Sequence, residues 1–293
     1  MSLTTVGQAI LVGAANGAFY AFLALSFWLI FALTRALNLA HGEFVVLGGY
    51  LGYAAGRAWG VPLPLAVPLA AIALVPLGLV WRALIARVRE PIELNSLVLT
   101  FGLSLLLQNL MLAAWSADYR LIASEAAAPA SPLALGIPPG RAGAAAVALG
   151  TILGLHLLLV RTRVGAALRA TSRDAETAAL MGVNVDRVST ASFAAAAAIA
   201  GAGGVLFGVF HYLHPAAGVE LTLLAITLAI LAGTWRGPGP LPGLLFGGLA
   251  IGLAESLVLA WAGPRWRELV VAALLLGVLL VRGGGEDPRR RAP

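Results

Sequence analysis

Few side chains in this sequence can do chemistry, and they fall in three places. The first is the run Asn38, His41, Gly42 and Glu43, where an amide, an imidazole and a carboxylate surround a glycine. The second is a set of polar residues inside otherwise apolar stretches: Gln108 and Asn109, beside Thr100 and Ser104, and Glu255. The third is the stretch from Arg161 to Val188, the most polar part of the chain. Metal binding by Asn38, His41 and Glu43 would need further ligands close by, and His156, His211 and His214 lie on different segments, so neither a metal nor another cofactor is expected. His211 and His214 read as surface residues of an outer loop. Glu255 and His156 have no Ser/His or Asp/Asp arrangement beside them, which argues against an intramembrane enzyme. The Asn38–Glu43 group is better suited to capping a broken helix, whose first N–H groups need partners. An amino-acid zwitterion or an amide could use the same backbone groups.

The elements that position these residues must lie in lipid. Of 293 residues, 60% are hydrophobic and 11% charged, and the mean hydropathy is +0.93; soluble chains carry roughly 25% charged residues. Every one of the 19 basic residues is arginine. Without lysine there is no Schiff-base chemistry and no Walker A phosphate loop, and without cysteine no thiolate chemistry or disulfide. The net charge of +6 reads first as membrane orientation, so no nucleic acid is expected as a partner. A bilayer core needs about 20 apolar residues per helix. Charge-free runs cover Val6–Thr34, Phe44–Gly56, Val61–Trp81, Leu94–Ala117, Ala142–Val160, Val188–Phe210, Leu221–Trp235, Gly239–Ala262 and Leu269–Val281. The first lacks the basic flank of a signal peptide and reads as a retained helix. Three runs, Phe44–Gly56, Leu221–Trp235 and Leu269–Val281, are short. The expectation is an all-α, multi-pass membrane protein with eight or nine transmembrane helices, some short or broken, forming one unit over residues 1–293.

Arginine clusters set the orientation. Arg82/Arg87/Arg89, Arg161/Arg163/Arg169/Arg173/Arg187 and Arg282 with Arg289–Arg291 mark cytoplasmic segments. Residues 118–141 then form an external loop, Arg236–Pro238 a tight inner turn and Arg289–Arg291 a topological tail. Nine passes put the N-terminus outside and the C-terminus in the cytoplasm. The external loop separates two comparable halves: Val6–Thr34, Phe44–Gly56 and Val61–Trp81 are matched in order by Val188–Phe210, Leu221–Trp235 and Gly239–Ala262. Short, glycine-interrupted segments at matching places point to a transporter's central pathway, although small residues also simply permit close packing. Between the halves, residues 161–187 read as an amphipathic helix with Val164, Ala167, Leu168, Thr171, Ala175 and Ala178 on one face and a stop at Gly182 and Asn184.

Within that helix, Glu176-x-Ala178 followed by Gly182 resembles the coupling motif of ABC-importer permeases. The surrounding residues narrow the likeness: Arg161–Ala170, Asp174 and Ala179–Val185 are similar to the corresponding loop of the LivH-type family, the permeases for branched-chain amino acids. Gly17–Ala21, Leu29–Phe31, Asn38–Phe44 and Leu47–Tyr50 resemble the G-x-x-Y-A, L-I-F and N-F-A-H-G blocks of that family in the same order, and Ala200–Leu206, Pro242–Gly243, Gly247–Gly248 and Gly252–Glu255 its C-terminal part. The resemblance covers nearly the whole chain.

The resemblance implies an integral subunit of the cell inner membrane with no catalysis of its own. Its implied partners are two ATP-binding subunits, a second related permease subunit, an extracytoplasmic substrate-binding protein and the lipid bilayer. It assigns ATPase coupling to Arg169, Asp174, Glu176, Ala178 and Gly182. The substrate pathway is expected among Asn38, His41, Gly42, Glu43, Gln108, Asn109 and Glu255. The missing lysine agrees, since ATP must be bound by other chains. Two departures leave the substrate open between branched-chain or related small amino acids and urea or short amides. Leu39 stands where the family has phenylalanine, and Trp235 and Arg236 where it has small residues. A secondary transporter driven by an ion gradient fits less well, because Glu255 reads as the sole acid within a span.

Overall fold

The computed structural model describes residues 3–34, 36–122, 139–233 and 241–266, with residues 272, 273, 276 and 277. Lipid leaves the backbone no partner but itself, so apolar runs of this length become helices. Among the described residues there are ten: α1 (Leu3–Thr34), α2 (His41–Trp59), α3 (Leu63–Ile85), α4 (Ile92–Trp115), α5 (Pro139–Arg161), α6 (Arg163–Arg173), α7 (Ala175–Leu180), α8 (Val185–Phe210), α9 (Ala217–Gly233) and α10 (Leu241–Ala262). The fold is all-α and polytopic. Six helices are long and apolar enough to cross a bilayer: α1, α3, α4, α5, α8 and α10. The eight or nine crossings expected from sequence therefore depend on α2, α9 and the run Leu269–Val281. Most of that run lies outside the described residues, as do the Arg236–Pro238 turn, the Arg289–Arg291 tail and most of the 118–141 loop.

Packing reveals how the two halves are related. α1 lies along α10 and α3 along α8; α2 lies along α8 and α9 along α1. Exchanging α1 with α8, α2 with α9 and α3 with α10 turns each contact into another on the same list. α1 and α8 run antiparallel, since Gly203 faces Leu23 and Phe22 while Phe207 and Phe210, further along α8, stack on Phe19 further back along α1. The chain thus contains an inverted repeat. Its two equivalent helices, α1 and α8, form the centre, with 72% and 67% of their apolar windows buried, against 22% for α3, α4 and α5. The outer three present Leu69, Ile72, Phe101, Leu105 and Leu153 to the surroundings, where lipid covers them at no cost. The α1–α10 seam is closed through Gly13 and Gly17 against the backbone of Gly252 and Gly248, each too near for a methyl group.

The polar segment is not one helix. Asp174 adopts extended backbone (φ −156°, ψ 105°), ends α6 and caps α7, accepting the amides of Glu176 and Thr177 at 3.0 Å each. An aspartate two and three residues before free amides competes with the helix it interrupts. The apolar face also differs from the sequence expectation. Gly165, Leu168, Thr171 and Ala178 are buried, whereas Val164 is 62% exposed and Ala175 is also exposed. Gly165 displaces Val164 because α6 turns directly onto the end of α5, against Leu158 and Leu159.

Candidate functional site

The chain breaks between α1 and α2 for local reasons. Thr34 Oγ1 donates to the Ile30 carbonyl at 3.0 Å and accepts the Ala36 amide at 3.2 Å, capping the end of α1. Asn38 Oδ1 then accepts the Ala40 amide at 3.0 Å, an Asx turn that starts α2 without a side-chain cap on its first turn. The segment returns into the bundle. His41 Nε2 lies 3.1 Å from Ser26 Oγ, eight residues before the end of α1, a depth of roughly 12 Å at 1.5 Å per residue. Ser26 Oγ gives its proton to the Leu23 carbonyl (2.7 Å), which leaves its lone pairs to accept from an Nε2–H of His41. Phe27 meets the imidazole edge-on at 5.4 Å. His41 is thereby packed among apolar side chains, with its ring oriented by Ser26; among the described residues no group of three or more metal-ligating side chains occurs.

At this depth the first turn of α2 crosses the first turn of α9. The Gly42 amide donates to Thr222 Oγ1 at 2.8 Å, and Thr222 Oγ1 lies 2.9 Å from the Gly218 carbonyl and 3.1 Å from that of Leu39. Gly42 and Gly218 hold the same place, second residue of the short helix, in the two halves. A methyl on Gly42 would overlap the Gly218 carbonyl oxygen, so only glycine admits this approach. Glu43 follows. Its carboxyl group packs flat on Gly218, where an added Cβ would sit 2.6 Å from Glu43 Cδ. The residue is fully buried, and Ser104 of α4 is placed to hydrogen-bond this carboxyl group. Apart from it, neither carboxylate oxygen has a hydrogen-bond partner among the described residues. Asn38 Nδ2 is a second buried polar atom here without a partner among the described residues. Sequence reading put Glu43 at the mouth of the short second segment, and it does stand in the first turn of α2; that mouth lies inside the bundle, so Glu43 is buried as Glu255 is.

The break between α8 and α9 is the counterpart. His211, expected as a surface residue because it falls in an outer loop, is half-buried. Its ring stacks on Phe207 at 5.1 Å and meets Phe19 and Tyr20 at 6.4 Å. His214 is likewise half-buried, 5.0 Å from the Tyr119 ring. Above it, Arg120 pairs its backbone with Leu213 (2.9 and 2.6 Å) and sends its guanidinium to Tyr53 Oη (3.1 Å) and the Trp115 carbonyl (2.8 Å). The Tyr53 bond raises the guanidinium's pKa above its ordinary value. This latch ties the end of α4 to the α8–α9 turn.

The remaining expected residues lie elsewhere. Glu255 is buried in the α1–α10 seam, where Tyr20 Oη donates to it at 2.6 Å. The buried side of α4 runs through Ser96, Thr100, Ser104, Leu107 and Met111. Thr100 reaches the Leu37 carbonyl (3.3 Å), but Gln108 is only half-buried, and Asn109 is exposed on the opposite side, bonded to Leu105 of its own helix. In the polar segment Arg169, Asp174, Glu176 and Gly182 are exposed and Ala178 is buried; Gly182 has φ +87° and open space around it. The apolar Leu180 and Met181 beside it are 88% and 81% exposed. Sequence reasoning missed Ser26, Thr222, Gly218, Tyr20 and Arg120. Aligning the two short segments residue by residue would have paired Gly42 with Gly218.

Residues 9–279 match the family described as branched-chain amino acid transport system / permease component. The chain belongs to this family. It is 30% identical over 288 residues to the high-affinity branched-chain amino acid transport system permease protein LivH of Escherichia coli K12, covering 93% of this chain and 92% of that one. It is 27% identical over 293 residues to BraD of Pseudomonas aeruginosa, a permease protein of the same description, covering 95% and 94%. The fructose import permease protein FrcC of Rhizobium meliloti is 28% identical over 256 residues, covering 83% and 69%. The chain is accordingly a membrane permease subunit of the ABC-importer type and not an enzyme, ATP hydrolysis belonging to separate subunits.

Proposed function

We propose that this chain is the membrane-spanning subunit of an ATP-driven importer for branched-chain or related small amino acids, and that substrate passes the α2–α9 crossing. The observation that carries this reading is the meeting of two helix starts, Gly42 on Gly218, deep in the bundle beside buried polar groups. Irregular backbone at that depth is tolerated in lipid only where it is covered by protein or lines a path. Asn38, His41, Gly42 and Glu43 form the pathway group. Gln108, Asn109 and Glu255 are left out of it, the last because the α1–α10 seam already accounts for its burial.

The coupling element is residues 161–187, with Arg169, Asp174, Glu176, Ala178 and Gly182. Two exposed apolar side chains on a short, tightly capped helix favour a protein partner, since outside lipid such a pair is otherwise left in water. The partners are two ATP-binding subunits, a second related permease and an extracytoplasmic binding protein. The N-terminus lies outside and the C-terminus in the cytoplasm. In that orientation the Arg82–Asp186 pair (2.8 Å) is cytoplasmic and the Arg120 latch external.

The test is uptake into proteoliposomes holding the assembled transporter with its binding protein. ATP-dependent accumulation of labelled leucine, not displaced by excess urea or acetamide, is expected. Displacement by urea or a short amide would replace the amino-acid reading with the amide one.

A further inference from the structure

We propose that Glu43 is the receptor for the substrate's ammonium group, so that the crossing itself selects ammonium-bearing amino acids over neutral amides and urea. This rests on the reading of the α2–α9 crossing as the path. Glu43 is fully buried, and apart from the Ser104 hydroxyl on α4 no donor among the described residues stands against its oxygens. None of the ion pairs formed by the described residues includes it, and the chain has no lysine that could reach it. Buried carboxylates are otherwise bonded or paired, because an isolated one is costly to keep charged. No cation among the described residues supplies that partner, and a substrate ammonium would. The same junction holds the opposite deficit, the unpartnered donor Asn38 Nδ2. An acceptor short of a cation and an unused donor, five residues apart at the start of α2, suit a zwitterion, which would bring an ammonium to Glu43 and a carboxylate to Asn38. A neutral amide would leave the glutamate's charge uncompensated. Access requires α2 and α9 to part, and the contact that closes them suits separation: it is glycine on glycine, with the Gly42–Thr222 hydrogen bond as its side-chain tie.

The obvious rival is a permanently protonated Glu43 acting as packing, and Glu43→Gln reproduces that neutral shape. In proteoliposomes carrying the full transporter and saturating leucine-loaded binding protein, leucine imported per ATP hydrolysed is measured for wild type, Glu43→Gln and Glu43→Asp. Loss of one charge-assisted bond predicts a fall of at least about tenfold in the glutamine variant and a smaller fall in the aspartate variant, which keeps the charge. Wild-type coupling in Glu43→Gln, or an aspartate variant as impaired as the glutamine one, overturns the proposal. A wild-type complex that imports no amino acid overturns the function proposed above, whereas normal wild-type import with a fully active glutamine variant overturns only the ammonium assignment. If Glu43→Gln does not assemble, labelled leucine bound to the wild-type complex is challenged with leucinol, which keeps the ammonium, and with 4-methylpentanoate, which lacks it. Displacement by leucinol and not by 4-methylpentanoate is expected; any other pattern overturns the proposal.

Discussion

Replacing Gly42 by alanine tests the crossing directly. The added methyl would overlap the Gly218 carbonyl oxygen and lie 2.6 Å from its carbon and 2.8 Å from Thr222 Oγ1. Ordinary contact begins near 3.4 Å, so the two helix starts must part by about 0.8 Å or more in a core packed to crystal-like density. Overpacking of this kind costs about 1–3 kcal/mol. The shift also stretches the 2.8 Å bond from the Gly42 amide to Thr222, worth about 1 kcal/mol. The sum is roughly 2–4 kcal/mol, read as a lowered midpoint of thermal unfolding in the purified detergent-solubilised protein. Gly154→Ala on α5 is the control, because nothing lies within 4 Å of its added methyl; it should be neutral or stabilise by up to about 1 kcal/mol through helix propensity. A Gly42→Ala protein as stable as the Gly154→Ala protein would refute the close crossing.

Other outcomes follow from the same geometry. Tyr20→Phe removes the 2.6 Å bond to buried Glu255 and should cost about 1–3 kcal/mol in the same unfolding assay, a buried acceptor losing a donor. The Asp174 carboxyl is held below its usual range, first by the Thr177 hydroxyl and then by the Thr177 amide. Its cap is therefore fully formed above the ordinary aspartate pKa and lost as pH falls through the depressed folded value. Exchange protection of the Glu176 and Thr177 amides should stay constant from neutral pH down to about pH 4, and Asp174→Ala should lack it throughout. Leu180→Ser with Met181→Ser should weaken co-purification of the ATPase subunits, and unchanged recovery would count against the docking surface. Asp186 is 90% exposed in its pair with Arg82, so Asp186→Asn should alter stability by no more than about 0.5–1 kcal/mol.

How much of this could be read beforehand varies by residue. Charge-free runs located every described spanning helix to within a few residues, because lipid leaves an apolar run no alternative to helix. The break at Asn38–His41 was visible for the same reason, as a polar interruption with an Asx turn. The depth of Glu43 was not, since it depends on Gly218 and Thr222, some 180 positions away in the chain and paired with it only by tertiary packing. Gln108 and Asn109 looked like part of a polar patch because adjacency in sequence was taken for adjacency in space. Counting about 100° per residue from Thr100 and Ser104 puts Asn109 on the far side. The α6–α7 break was hidden because Asp174 fitted the polar face of a continuous helix, while its spacing to Thr177 equally fitted a cap. His211 looked exposed because it falls in a loop between spans, and is instead half-covered by Phe207, Phe19 and Tyr20.

The absence of native cysteine makes one measurement decisive for the claim that substrate passes between α2 and α9. Thr222, at 2% exposure, is replaced by cysteine in the assembled transporter and exposed to a small thiosulfonate reagent. Ser256→Cys, in the α1–α10 seam, serves as the control. The account predicts that Thr222→Cys is unreactive at rest and becomes labelled when ATP and loaded binding protein drive turnover, while Ser256→Cys stays protected. Continued leucine uptake with no labelling of Thr222→Cys in either state would contradict it.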